Sequence, residues 1–167
     1  RFHGLGERDR LLLQIAVTLH ACGKFISMKN SNECGYALIM STEIIGLSHL
    51  EREIIANVVR YNIRDFDYDM MQLETEAGQD LAGVSDRTAI TILIAKLTAI
   101  LRLANSMDKT HKSKLIDCRM AVREGQLVIT TGYKGDLALE SASFEQKAAF
   151  FEEIFGIRPV LKQKRRV

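Results

Sequence analysis

Four histidines and three cysteines are the side chains in this sequence best suited to hold a metal or move a proton. His20 stands out among them, because it ends the apolar stretch QIAVTLHACGKFIS (14–27) and is followed by Ala21, Cys22 and Gly23. An imidazole in that position can be a metal ligand, a general acid or base, or a core group whose ring nitrogens are satisfied nearby. A catalytic metal centre needs three or more converging His, Asp, Glu or Cys ligands. Alanine stands next to His20, the apolar helices around it lack carboxylates, and His3, His49 and His111 fall in expected loops or helix ends. Taken alone, the residue types favour a core or interfacial histidine over a ligand. Cys22, Cys34 and Cys118 are odd in number and share no CxxC spacing. That argues against a disulfide framework or a zinc knuckle, and for buried free thiols in a reducing cytoplasm.

Two other spacings imitate functional motifs. DFDYDMMQLETE puts Asp65, Asp67, Asp69 and Glu76 at positions 1, 3, 5 and 12 of a calcium loop. Position 6, which demands glycine for its sharp turn, holds Met70, so a solvated acidic loop is the better account. IIGLSHLEREIIANVV has the outline of a helix-turn-helix with Gly46 in the turn. Its second helix would open with Glu51 and Glu53 against the phosphates, which disfavours nucleic acid as a partner.

The elements that must position these residues follow from periodicity. The sequence has 167 residues, 47% of them hydrophobic and 26% charged, as in an ordinary globular protein able to bury a sizeable core. No apolar run approaches the ~18 residues of a membrane span, so no membrane partner is expected. The first residue is Arg1 rather than Met, and we expect an internal segment of a longer protein. Acids precede and Gly23 follows a first helix, with Leu12, Ile15, Ala16 and Leu19 at helical spacing. A second helix is expected over 33–44. In SHLERE, Ser48 as N-cap and Glu51 three residues on form a capping box for a third helix, with Leu50, Ile54, Val58 and Tyr61 on one face. Residues 62–82 read as a polar loop. From Ser85 onward comes the longest apolar-periodic segment, apolar on most of its circumference from Ile90 to Leu103, which suits the middle of a bundle.

Near residues 108–114 the period changes to that of strands. Ile116, Cys118, Met120 and Val122 alternate onto one face, REGQ turns at Gly125, and LVITT returns as a hairpin partner. DLALE reads as a third strand. Ser143 and Gln146 cap a helix ended by Gly156, and RPVLK forms a closing strand with Pro159 near its edge. The expectation is a mainly α protein: a helical domain over 1–110, then a small α+β domain of order β-β-β-α-β over 111–167. The net charge of +2 is unremarkable, but Lys162, Lys164, Arg165 and Arg166 cluster at the end of the sequence as a candidate anion patch.

Four stretches in order, LLLQIAVTLHACGKFI, ECGYALIMSTEIIGLSHLEREIIANVVRYN, AKLTAILRLANSMDKT and FEQKAAFFEEIFGIRPVLK, resemble the C-terminal half of the Ppx/GppA phosphatases. These are the exopolyphosphatases and guanosine pentaphosphate phosphatases, and the resemblance covers nearly the whole chain. It implies a helical bundle similar to the HD phosphohydrolase fold, in which a His, an adjacent His-Asp pair and a later Asp hold the metal. Carried over by position, His20 matches the His of the pair, Ala21 stands for its Asp, and Asn105 for the later Asp. The pattern's first histidine would precede residue 1, with His3 as the other option. Ser31, Asn32 and Cys34 occupy a loop where HD-like relatives carry further histidines. Neither alanine nor a neutral amide supplies the anionic charge that holds a divalent cation.

The resemblance thus implies a degenerate metal site and no catalysis by this region. The catalytic work, with Mg²⁺, would lie in actin-like domains upstream, and no cofactor is expected in this fragment. The region would serve a homodimer and the binding of inorganic polyphosphate or guanosine polyphosphate in the cytoplasm. Lys24, Lys29, Arg60, Arg64 and Arg102 are candidates to line the polyanion's path, beside the terminal cluster. Two other functions stay open here: a standalone nucleotide phosphohydrolase with an altered metal site, and a regulatory module that binds a guanine alarmone.

Overall fold

A computed structural model of the protein describes residues 3–68, 71, 73 and 83–164, with backbone alone at 83–86. Asp69, Met70 and Glu76 of the acidic spacing, and Arg165 and Arg166 of the terminal cluster, lie outside the described residues. The chain is mainly helical, with a small three-stranded sheet after the helices. It falls into two compact units, His3–Leu101 and the residues from Arg102 onward.

The first unit opens with α1 (Glu7–Leu19), where the Asp9 carboxylate accepts from the Gly6 amide at 2.8 Å and so satisfies an otherwise orphaned N–H. Leu12 and Ala16 are its buried residues. After a 3₁₀ turn at Cys22–Phe25 comes α2 (Ser31–Ser41), which ends three residues earlier than the pattern predicts. The hydroxyls of Ser41 and Thr42 both donate to the Leu38 carbonyl, at 3.1 and 2.7 Å, and Thr42 turns extended. They thereby take over an acceptor that another helical turn would have used. The third helix, α3 (His49–Tyr61), starts at the expected capping box. The Glu51 amide donates to Ser48 Oγ at 3.2 Å, and the Ser48 amide donates to Glu51 Oε2 at 2.9 Å.

Burial on α3 is far broader than the single stripe the sequence suggests: every residue from Glu53 to Val59 is buried. The helix packs against both α1 and α2, so side chains on most of its circumference meet protein. This also removes the helix-turn-helix reading, because a recognition helix needs a free face. Leu12, Ala16, Ile39, Ile55, Val58, Val59, Ile94, Leu97 and Leu101 belong to one continuous core. At about 25 cal/mol per Å² of buried apolar surface, such clusters dominate the folding energy.

The last helix of the series, α4 (Gly83–Met107), supplies residues to both units. Its stretch Arg87–Met107, with mean hydropathy 1.5, is long and apolar enough to cross a membrane by length and composition, contrary to the reading of the apolar runs. On it Ile94, Ala95, Leu97, Ala99, Leu101 and Leu103 are buried, while Ile92 is 47% exposed.

In the second unit, β1 (Cys118–Arg123) and β2 (Gln126–Thr131) form the expected hairpin, with Val122 opposite Leu127 and Met120 opposite Ile129. Glu124 at φ 50° and Gly125 at φ 73° make its two-residue turn, both in the left-handed region that matches the twist of the strands. α5 (Ala138–Phe155) follows, ended by Gly156 as expected, and β3 (Arg158–Gln163) returns parallel to β2 to give the sheet order β1-β2-β3. Pro159 sits on an edge strand, where its missing N–H costs no ladder bond.

Two details depart from expectation. DLALE is not a third strand: Asp136 Oδ1 accepts from the Ala138 amide at 2.8 Å, and the helix begins there. Ser143 is therefore an interior residue of α5 and not its cap.

Candidate functional site

His20 is the C-cap of α1, and its position is settled by the backbone around it. Its Nδ1 lies 2.6 Å from the Val17 carbonyl oxygen. A carbonyl can only accept, so Nδ1 carries the proton and donates. The 3₁₀ turn that follows is held by close backbone approach. A Cβ on Gly23 would stand 1.9 Å from the Ser31 carbonyl oxygen and 2.5 Å from the Gly35 amide nitrogen. Only glycine allows the turn to lie this close to the start of α2. Cys22, half-buried in the same turn, is a free thiol whose pKa burial pushes up, which disfavours the reactive thiolate.

The residues at the three aligned positions do not fit a divalent cation. His20 offers one ring nitrogen, Ala21 offers a methyl group, and Asn105, a half-buried residue of the second unit's part of α4, offers a neutral amide. Among the described residues, no three His, Cys, Asp or Glu side chains come together as a metal site would require.

A family model described as Ppx/GppA phosphatase, domain III, matches residues 3–148. The chain belongs to the Ppx/GppA phosphatase family. No curated protein matches the sequence as a relative.

The structure divides this Ppx/GppA chain's candidate polyanion contacts into two kinds. Arg60 and Arg64 are brought together, but on an acid. Arg60 Nε and Nη2 reach the two oxygens of Glu33 at 2.9 and 2.7 Å, and Arg64 Nη1 adds a bond at 3.0 Å. The Arg60 guanidinium also lies 4.8 Å from the centre of the Tyr36 ring. Hydrogen bonding from Arg60, helped by Arg64, lowers the Glu33 pKa, so the carboxylate stays charged and pairs with both cations, leaving the trio with one net positive charge. Arg102 is only 7% exposed and stacks 4.6 Å from the centre of the Phe150 ring, within the second unit. Lys24 and Lys29, by contrast, are exposed in the first unit, and Lys162 and Lys164 are exposed at the end of β3. Among the described residues these four lysines take part in no ion pair.

Sequence reasoning missed the most buried charge of the second unit. Glu140, 0% exposed, accepts from Thr110 Oγ1 at 2.5 Å and from Lys114 Nζ at 3.1 Å, and Lys114 also donates to the Asp136 carbonyl at 3.0 Å. The Thr110 hydroxyl, then Lys114, hold its pKa below the usual carboxylate range. The cluster ties the segment after α4 to the first turn of α5. The usable sign lay in a lone acid between apolar residues, but its partners stand 26 and 30 residues upstream.

Proposed function

We propose that this chain is a non-catalytic C-terminal region of a Ppx/GppA-type phosphatase, serving dimerisation and the binding of inorganic polyphosphate. The parent would hydrolyse terminal phosphates of polyphosphate or of guanosine pentaphosphate in the cytoplasm, with Mg²⁺ held by catalytic domains upstream. The observation that carries the reading is the domain III match across residues 3–148. It is joined by a histidine whose aligned partners, Ala21 and Asn105, offer no carboxylate. Hydrolysis by this region alone would lack the anionic ligands that make a metal-bound nucleophile. The lysines supply a different capacity. A flexible polyanion is held chiefly by charge, with salt-dependent affinity, and Lys24, Lys29, Lys162 and Lys164 are exposed candidates for it.

Calorimetric titration of the chain with polyphosphate and with guanosine tetraphosphate tests the binding half. Polyphosphate should bind with an affinity that falls as salt rises, and Lys24→Ala with Lys29→Ala should weaken it. Preference for the guanosine nucleotide would favour an alarmone-binding module instead. Near-stoichiometric Mn²⁺, Fe or Zn²⁺ in the purified chain, together with phosphatase activity, would overturn the non-catalytic half.

A further inference from the structure

The uncovered edge of the small sheet carries an inference of its own. Ile116, Met120 and Val122 are 78%, 63% and 51% exposed, although they belong to the same alternation as Cys118. Met120 and Val122 share a sheet face with their cross-strand partners Ile129 and Leu127, which are buried. The apolar face therefore continues past the covered part of the sheet onto β1 and ends in solvent. β1 itself is an edge strand paired without interruption from Cys118 to Arg123. Proline, a bulge and a charge on the inner face are all missing from it, and its charges, Arg119 and Arg123, lie on the other face.

The pairing pattern says how that edge is poised. A two-residue turn closes on a hydrogen-bonded pair, here Arg123 with Gln126. Alternation then makes Arg119, Ala121 and Arg123 the residues that exchange bonds with β2. Cys118, Met120 and Val122 turn their N–H and C=O groups to the open edge. A second copy of β1 laid antiparallel must use these same groups, so even-numbered residues must face even-numbered ones.

Three registers meet that rule near the strand's middle. One centred on Ala121 sets Arg119 opposite Arg123 of the other copy, and one centred on Arg119 sets that arginine against itself. Both place like charges directly across, which destabilises a pair. The register centred on Met120 sets Cys118 opposite Val122 twice and Met120 opposite its own equivalent, and continuing the strand by one residue sets Asp117, just before β1, opposite Arg123 twice. Charge and apolar matching agree in this register and in neither of the others.

We propose that two copies of this chain pair through β1 in that register, joining their three-stranded sheets into one of six strands about a two-fold axis at Met120. This rests on the dimerisation half of the function proposed above and assigns it an interface. A contact of this kind is isologous: the same edge serves both partners and closes the assembly at two.

The experiment uses the chain with Cys22 and Cys34 replaced by serine and Cys118 by alanine, which keeps that interface position apolar. Met120→Cys should give a disulfide-linked dimer on mild oxidation, since directly opposed Cα atoms lie about 5.5 Å apart in a hydrogen-bonded pair. Arg119→Cys should not, because that residue faces Ala121 of the other copy and not its own equivalent. In sedimentation equilibrium, Asp117→Arg alone should raise the dimer dissociation constant about tenfold by turning two attractive pairs repulsive. Asp117→Arg combined with Arg123→Asp should restore it. A chain that stays monomeric at ~100 μM, far above a micromolar affinity, would overturn both this interface and the dimerisation reading. A dimer that ignores the Asp117 substitution, or that Met120→Cys does not lock, would overturn the interface and leave dimerisation standing.

Discussion

Gly23→Ala is the substitution by which the architecture around His20 is most exposed to test. A Cβ there would meet the Ser31 carbonyl oxygen at 1.9 Å, the Gly35 amide nitrogen at 2.5 Å and the Ser31 carbonyl carbon at 2.8 Å. All three are backbone atoms at the start of α2, so no rotamer change relieves the clash. The turn must move by more than 1 Å or α2 must shift, and either loosens the contact with Gly35. Overpacking that side chains can absorb costs about 1–3 kcal/mol. With only backbone in the way, we expect the upper end, about 3 kcal/mol. For a chain of this size that lowers the melting temperature by roughly 6–12 °C. Gly35→Ala is the informative contrast. Its Cβ would meet a side-chain methyl, Val59 Cγ1, at 3.0 Å, and otherwise only ordinary contacts at 3.7 Å. It would also gain about 1 kcal/mol of helix propensity inside α2, so its net effect should be near zero. Gly132→Ala, with nothing within 4 Å, should stay within about 0.5 kcal/mol of the parent. Urea denaturation, with hydrogen exchange of the α2 and α3 amides, reads all three. If Gly23→Ala also stayed within about 0.5 kcal/mol of the parent, the close approach that seats His20 would be refuted.

Further outcomes follow from the charged groups and the core. Glu51 accepts from Arg8 and from the Ser48 amide, and these hold its pKa at about 2. Because the folded value is depressed, this stabilisation is complete above the ordinary carboxylate pKa and is lost as pH falls from there toward about 2. Glu51→Gln should accordingly destabilise the chain at pH 7, with the difference vanishing near pH 2 in acid unfolding curves. Ser48→Ala should cost about 1 kcal/mol in the same assay through loss of the cap. Glu140→Gln and Lys114→Met should each destabilise the second unit more than Glu140→Leu with Lys114→Met together, because a single change leaves the buried Glu140 or the half-buried Lys114 without its charged partner. Urea titrations of the three variants give the order directly. Phe144→Ala, at a side chain 2% exposed, should cost about 3–5 kcal/mol and speed exchange of the α5 amides.

Features whose causes lie within a few residues were legible. The Ser48–Glu51 box, the turn at Gly125 and the stop at Gly156 all depend on near neighbours, and the structure has each of them. DLALE misled because its apolar residues alternate as a strand's do, while the decisive sign was Asp136, placed to accept from the amide two residues on. Ser143 with Gln146 then imitated a cap inside a helix already under way. The arginines show the other limit. Arg60 and Arg64 stand four residues apart as candidate polyanion contacts, and their shared partner Glu33, 27 residues before Arg60, is not visible from their neighbours in sequence. The broad burial of α3, including Glu53 and Asn57, likewise depends on helices distant in sequence. His20 could be narrowed to alternatives by its neighbours. The choice of which ring nitrogen bears the proton needed the Val17 carbonyl.

The parallel pairing of β2 with β3 has a consequence for the birth of the protein. β2 is the middle strand, yet its second neighbour lies beyond the whole of α5. Until β3 is in place, one side of β2 has no partner strand. Non-local pairing of this kind is slow, and open edges invite wrong partners. A hairpin that formed before β3 would have both outer sides open to another strand. One of those sides closes only when the residues up to Gln163 emerge.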